Sequence, residues 1–418
     1  MKFPRILLAF AALLIACAIE TGCGGPAGPH SQVRQPPPPP TGTNYTTCNN
    51  QQVPNWQSNL FISNYQPAIS AMVAHYGNNS NVGYIRIGLG RGGEINLPQG
   101  WNDSSANDAC YGGYSGKWGY TVGGSSPTSS TWNTYLNTMV TYEGGLSSAA
   151  PLLVSITPIS GASPSTVTDD FIAPIAVSNG MSFGNQGLES SDISGYPSCG
   201  GDWCNLFAQL HPQIAELQTL GQSCPNGTSC ANSLAQSTGD LTPLLPFATS
   251  HGANDLELYY QDWLIAFDPD YANSIGVSSA EQAAYQAAIK TAAAIPGVTV
   301  QVLFPPAPGD TTACGSTTCY QAIQTYLVNN PYVSGFVVDV DWSDFDLPNG
   351  SNNGHGSYSF SVSDSTVGAW SFPPKKVNLV LQNTTYGGSG SCPVSGTGSN
   401  GNVASNCAMP AWMWTVLQ

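Results

Sequence analysis

Eight short apolar runs recur along the body of this chain, separated by helix-like or loop segments. They lie at Tyr84–Leu89, Leu152–Thr157, Met181–Gly187, Ile214–Leu220, Asp255–Tyr260, Val298–Phe304, Val333–Asp341 and Val377–Gln382. Helical patterns fall between several of them, at Asn133–Tyr142, Trp203–Leu210 and the Ala-rich Ser279–Ala294. Strand and helix alternating eight times is the sequence form of an α/β fold, a single (β/α)8 TIM barrel. The 418 residues would also allow two or three average domains, but one barrel with loop insertions accounts for them.

Side-chain parity says what such a barrel would hold inside. Along a strand, successive side chains face opposite ways. Ile85, Ile87 and Leu89 share one face of the first run, and Arg86, Gly88 and Gly90 the other. Thr299 and Gln301 alternate with valines, Asn378 and Gln382 with aliphatics, and Glu257 and Tyr259 with leucines. Asp339 alternates with Phe336, Val338 and Val340, and Asp341 follows in phase. With the aliphatic faces given to the surrounding helices, Arg86, Glu257, Gln301, Asp339, Asn378 and Gln382 point inward. Buried polar groups are costly without partners, so this set implies an internal network built for a polar ligand. The first run ends in a glycine-rich turn that delivers Glu94 just past the strand, where barrel chemistry sits. The glycines of that turn leave room for something other than side chain.

The N-terminus reads as an export signal. Lys2 and Arg5 precede an apolar run, Ile6 to Ala16, that is too short to span a bilayer. Leu14-Ile15-Ala16-Cys17 resembles a bacterial lipobox, which points to a lipid anchor at Cys17, with simple secretion as the alternative. Residues 1–23 are the signal and lipobox region. Residues 24–43, with five consecutive prolines from Pro36 to Pro40, form a stiff spacer. Residues 44–418 are the barrel domain, expected in a secreted or cell-envelope lipoprotein and acting as a monomer.

Of twelve cysteines, Cys17 and Cys23 lie in the signal region. The other ten include the close pairs Cys199/Cys204, Cys224/Cys230, Cys314/Cys319 and Cys392/Cys407, with Cys48 and Cys110 remaining. Zinc-type spacing with histidine support is absent, so loop-stapling disulfides in an oxidising compartment fit better than metal ligation. No metal or cofactor is called for. Asp268-Pro269-Asp270 is better explained by helix capping than by calcium. Charged residues make up 8% of the chain and the net charge is −15, which argues against nucleic acid as a partner. Ten Trp and 19 Tyr, among many Gly, Ser, Thr and Asn, suit a carbohydrate partner, because aromatic faces stack on sugars and amides bond hydroxyls.

Short segments resemble a known group. Val338-Asp339-Val340-Asp341-Trp342-Ser343 resembles the second-strand region of family-42 β-galactosidases and their clan-A relatives. Lys376–Gln382, with Met409-Pro410-Ala411-Trp412 later, resembles their third strand and its Pro-x-Trp sequel. Tyr84–Glu94 resembles their fourth strand, whose terminal Glu is the acid/base, and is similar to the turn carrying the general acid of β-amylases. On that resemblance the pieces run out of order, implying a circular permutation with barrel order four to eight, then one to three. An ordinary barrel whose first strand is Tyr84–Leu89 has the same architecture.

The resemblance implies a glycoside hydrolase with paired carboxyl groups, retaining where the pair is close and inverting where it is wider. Glu94 is the expected acid/base. Glu257 is the preferred second carboxylate, with Glu189, Glu216 and Asp262 also open. Arg86 would hold the nucleophile ionised or serve a structural salt bridge. Asp339, Asp341, Gln382, Tyr259, Asp262, Trp342 and Trp412 are candidates for contacting sugar, and Trp101, Trp263 and Trp414 for stacking, with core or rim packing open for each tryptophan. The competing expectation is a non-catalytic carbohydrate-binding surface barrel.

Overall fold

A computed structural model describes residues 45–48, 51–54, 59–90, 93–95, 131–156, 167–194, 203–225, 238–306, 317–348, 355–383, 409–410 and 413. Eight parallel strands close into a barrel. They are β1 (Val82–Ile87), β2 (Leu152–Ser155), β3 (Ser182–Leu188), β4 (Ala215–Thr219), β5 (Asp255–Tyr259), β6 (Thr299–Leu303), β7 (Gly335–Asp341) and β8 (Lys376–Gln382). Order around the ring follows the sequence, and the ring closes where β8 pairs with β1. All eight apolar runs are barrel strands, each within a few residues of its expected bounds.

Helices cover the outside, including α1 (Asn59–Tyr76), α2 (Thr131–Gly144), α3 (Val167–Ser178), α4 (Trp203–Leu210), α5 (Leu241–Ser250), α6 (Tyr260–Phe267), α7 (Ser279–Ala293), α8 (Thr317–Asn329) and α9 (Ser361–Ala369). Local chemistry starts several of them. Ser278 and Glu281 form a reciprocal capping box at α7, satisfying backbone N–H groups that a helix start leaves open. Asp268 caps the short helix Pro269–Ser274 by accepting from Asp270 and Tyr271 N–H, the capping role read for Asp268-Pro269-Asp270.

The strands divide their side chains as parity requires. Ile85, Ile87, Leu256, Leu258, Val300, Val302, Phe336, Val338, Val340, Val377, Leu379 and Leu381 join the helices in one fully apolar layer. Each such side chain contributes about 1.5–3 kcal/mol relative to staying exposed. The inward face carries a separate, much smaller apolar group, Leu303, Val337 and Val380, against which Tyr259 and Phe304 pack. Most of the rest of that face is polar, with Leu153 buried beside Arg86.

The turn after β1 is built from backbone packed on backbone. Gly88 donates to Leu381 O at 2.8 Å, and Gly90 donates to Glu94 O at 2.6 Å, closing the loop on itself. A Cβ at Gly88 would lie 2.5 Å from Gly93 Cα and 2.5 Å from Leu381 O, and Gly93 itself has φ +76°. The space left by Gly88 is therefore filled by the chain's own turn, which corrects the expectation of room for a ligand there. Gly88→Ala should cost about 1–3 kcal/mol of stability through overpacking against atoms that cannot step aside. Urea denaturation checks this; an unchanged midpoint would refute the close-approach account.

Candidate active site at the barrel mouth

The barrel interior holds an ionic network one layer below the strand ends. Arg86 Nη1 donates to Glu257 Oε2 at 2.9 Å and lies 3.2 Å from Glu216 Oε1. Arg86 Nη2 donates to Gln218 Oε1 at 3.0 Å. Gln186 Nε2 donates to Glu216 Oε2 at 2.6 Å, and the Tyr84 hydroxyl donates to Glu257 Oε1. Asp255 takes hydrogen bonds from Thr299 and from Gln301 Nε2, the latter at 2.9 Å. Strand register assembles the group, since Glu257 lies beside Gln218 on β4 and Gln301 on β6.

Three acids face one arginine here, so their protonation must be shared out. Burial works against charge on Arg86, but Glu257 and Glu216 outweigh it and hold the guanidinium protonated. Burial, with Glu257 adding repulsion, pushes Glu216 well above the usual carboxylate range. The same two causes push Asp255 up to about 7. Desolvation disfavours the charged form, and a like charge nearby adds to it.

Above this layer, at the C-terminal ends of the strands, a second set meets around Tyr259. The Gln218 amide accepts from Arg86 and is also the side-chain partner of the Tyr259 phenol, so it links the network to the mouth. Burial raises the Tyr259 phenol, and Glu94, Asp262 and Asp339 raise it further by their charge. Glu94 and Asp339 therefore both lie within electrostatic reach of one phenol. Asp339 is half-buried, and burial pushes its carboxyl up to about 7. Gln382 is its side-chain hydrogen-bond partner, while Oδ1 is sheltered and accepts no hydrogen bond. Asp341, also half-buried, is raised by burial and then by Asp344 and Asp339. β7 and β8 are paired along their whole length, which sets Asp341 opposite Gln382.

Backbone strain marks the same end. Phe304, directly after β6, has φ +46° and packs edge-on to Tyr259 at 6.0 Å between ring centres. A left-handed non-glycine residue costs roughly 1–2 kcal/mol, and such strain gathers at functional sites.

No family model and no curated protein matches this chain. The site must be read from its own geometry.

Glu94, half-buried on its glycine turn, Tyr259, Asp339, Asp341 and Gln382 come together at the mouth or beside it. Glu257 does not reach it. Both its oxygens are taken and it is fully buried, so it serves the network below. Glu216 is buried in that network too. Glu189, at the end of β3, is tied into the start of the next short helix, where its N–H donates to Asp192 Oδ2 at 3.0 Å. Asp262 anchors a loop, with Oδ1 accepting from Ser223 N and Oγ at 2.7 Å each; burial pushes it up to about 7. Trp342 and Trp263 are fully buried, so packing is the outcome for both. Trp342 sits against Phe61 and Tyr65 and donates to Asp346 Oδ2 at 2.8 Å.

Cys17, the segment 24–43, Trp101, Trp412 and Trp414 lie outside the described residues, as does at least one member of each expected cysteine pair. Among the described residues, no helix is long and apolar enough to cross a membrane, and no group of three or more His, Cys, Asp or Glu could hold a metal ion.

The sequence reading missed Tyr84, Gln186, Gln218 and Asp255 as members of the interior network. Tyr84 and Asp255 stand two residues before Arg86 and Glu257, so the same parity would have found them.

The raised acids give stability a pH dependence. Asp255, Asp262 and Asp339 titrate near 7 when folded, against about 3.9 when unfolded. Between those values the folded state binds more protons, so stability is fully present below about pH 4 on this account and is lost as pH rises towards 7. A melting temperature that falls from pH 5 to pH 7.5 is the expected result. A rise over that interval would contradict it.

Proposed function

We propose that the chain is a glycoside hydrolase acting at the mouth of its barrel, with Glu94 and Asp339 as the paired carboxyl groups. One observation carries the reading: burial holds Asp339 about half protonated near neutral pH, within electrostatic reach of the same phenol as Glu94. Glycoside hydrolysis needs one carboxylic acid to protonate the departing oxygen and one carboxylate across the bond.

In this mechanism Asp339 gives its proton to the glycosidic oxygen as the bond from that oxygen to the anomeric carbon breaks. The Glu94 carboxylate either adds to the anomeric carbon, for retention, or takes a proton from the water that adds there, for inversion. Tyr259, a neutral phenol, lies within electrostatic reach of both acids, and Gln382 orients Asp339. Asp341, farther along the same face, is suited to bonding sugar hydroxyls. Arg86 and Glu257 act as positioning residues, fixing Gln218 and through it Tyr259. The segment resemblances to family-42 β-galactosidases and to the acid-bearing turn of β-amylases point to the same class but put the acid at Glu94, a role this proposal gives to Asp339; a circularly permuted strand order belongs to the same proposal.

A second reading, a barrel that binds carbohydrate without cleaving it, is favoured by the sequestration of Glu257, which removes the carboxylate first preferred as nucleophile. Incubation with aryl glycosides and neutral polysaccharides, with new reducing ends and the first-formed anomer followed by proton NMR, separates the two. Release of sugar supports hydrolysis and its stereochemistry fixes the role of Glu94. Saturable binding without release supports the second reading.

A further inference from the structure

A groove of about 750 Å³ lies on the outside of the barrel, between α7 and α8, where α7 runs out toward the start of β6 and α8 toward the start of β7. That is the end opposite the mouth, since the candidate site stands at the C-terminal ends of the strands. We infer that this groove is a second carbohydrate-binding site, taking a short stretch of neutral polysaccharide. The inference shares its ligand class with the proposed function but stands on the groove's own lining.

The floor is aromatic and pre-built. Fully buried Trp263 stacks on Phe267 at 5.9 Å and 20°, and Phe267 on Tyr332 at 5.9 Å and 18°. The Lys290 ammonium lies 5.9 Å from the Phe267 ring centre and 5.5 Å from that of Tyr332. A cation at that distance is held by the ring quadrupoles and restrains both rings. Lys290 also donates to Gln286 Oε1 at 2.9 Å, and Gln286 donates to Ala266 O at 3.2 Å, tying α7 to α6 beneath the rings. Tyr332 is fixed from the other side, its N–H donating to Asn330 Oδ1 at 3.0 Å. The platform therefore needs little ordering on binding, which limits the entropy lost.

Around the rings stand neutral hydrogen-bonding groups. Gln321 and Asn329 are exposed on α8, and Tyr326 is half-buried beside them. Amides donate and accept at once, as sugar hydroxyls do, and an ammonium with three donors and one committed partner has two to offer. The lining selects against other ligand classes. It contains no carboxylate to hold a cation, and one lysine does not make a phosphate cluster. Its volume falls within the ~300–1,000 Å³ of small-ligand pockets, so it suits a few sugar rings. A second hold on the polymer, away from the mouth, would keep the barrel on its substrate between turnovers.

Affinity electrophoresis of the full chain tests this, in native gels containing starch, galactan, xylan or galactomannan, with polygalacturonate as the anionic contrast. Wild type should be retarded by at least one neutral polysaccharide. Tyr332→Ala, and separately Gln321→Ala with Asn329→Ala, should lose that retardation, the exposed amide pair while melting as wild type does. Glu94→Gln, altered only at the mouth, should keep it. Retardation lost with Glu94→Gln and kept in the groove variants would overturn the inference, as would no retardation by any neutral polymer. Retardation by polygalacturonate alone, abolished by Lys290→Ala, would overturn the neutral-sugar assignment. Groove binding that survives when wild type releases no sugar from any substrate would sink the hydrolase reading and leave the groove standing.

Discussion

Asp339→Asn should lower kcat/KM by about 10²–10⁴-fold, the usual contribution of a positioned general acid. Asparagine keeps the shape and the contact with Gln382 but has no acidic proton to deliver. Glu94→Gln should fall at least as far, because no carboxylate then faces the anomeric carbon. The pH profile distinguishes the two roles. Only the protonated form of Asp339 can act, and its carboxyl sits at about 7, so wild-type kcat/KM should decline as pH rises through that value. That alkaline limb should vanish from whatever activity Asp339→Asn retains and persist in Glu94→Gln. An aryl glycoside whose leaving group needs no proton should rescue Asp339→Asn but not Glu94→Gln. Full activity in Asp339→Asn on an unactivated substrate would remove Asp339 from the mechanism.

The largest loss of stability is expected from Arg86→Ala. Among the described residues, Arg86 is the one cation of the barrel interior and is fully buried against Glu257, Glu216 and Gln218. Removing one partner of a buried ion pair leaves uncompensated charge and costs about 3–5 kcal/mol. Part of that loss should be recovered at low pH, where Glu216, already pushed above the usual carboxylate range by burial, can be protonated and no longer needs a counter-charge. Arg86→Lys should fall between, because an ammonium keeps the charge without the planar fork that reaches two carboxylates and an amide together. Equilibrium unfolding in urea at pH 5 and pH 7.5 measures all three proteins. A change below about 0.5 kcal/mol for Arg86→Ala, the range of ordinary surface substitutions, would mean that the network is not held by its arginine.

The barrel was legible in the sequence because a strand's two faces are written at a period of two. Parity alone placed Arg86, Glu257, Gln301, Asp339, Asn378 and Gln382 inward and gave most of the strands' valines and leucines to the helices. Depth was not legible. Glu257 and Asp339 have the same parity, but strand stagger puts one in the closed layer with Tyr84 and Arg86 and opens the other at the mouth. Stagger arises from pairing between distant segments, and no local pattern records it. The glycines after β1 were ambiguous for a similar reason: Gly88 meets the carbonyl of Leu381, 293 positions away, and the sequence names no such partner. Trp263 and Trp342 illustrate the limit of composition, since a tryptophan that stacks on sugar and one that fills a core are the same letter.

Closure of the ring between β8 and β1 bears on how the molecule comes into being. Until Lys376–Gln382 has been made, β1 and β7 each present an open row of backbone donors and acceptors, and the β8–β1 seam joins positions as far apart as Val82 and Val377. Such a seam is slow to form, because a very long loop must close before its contacts are gained. Open parallel edges invite pairing with other chains in the meantime. Assembly is therefore gated by the final strand, and a product cut short ahead of it would carry two adhesive edges in place of none.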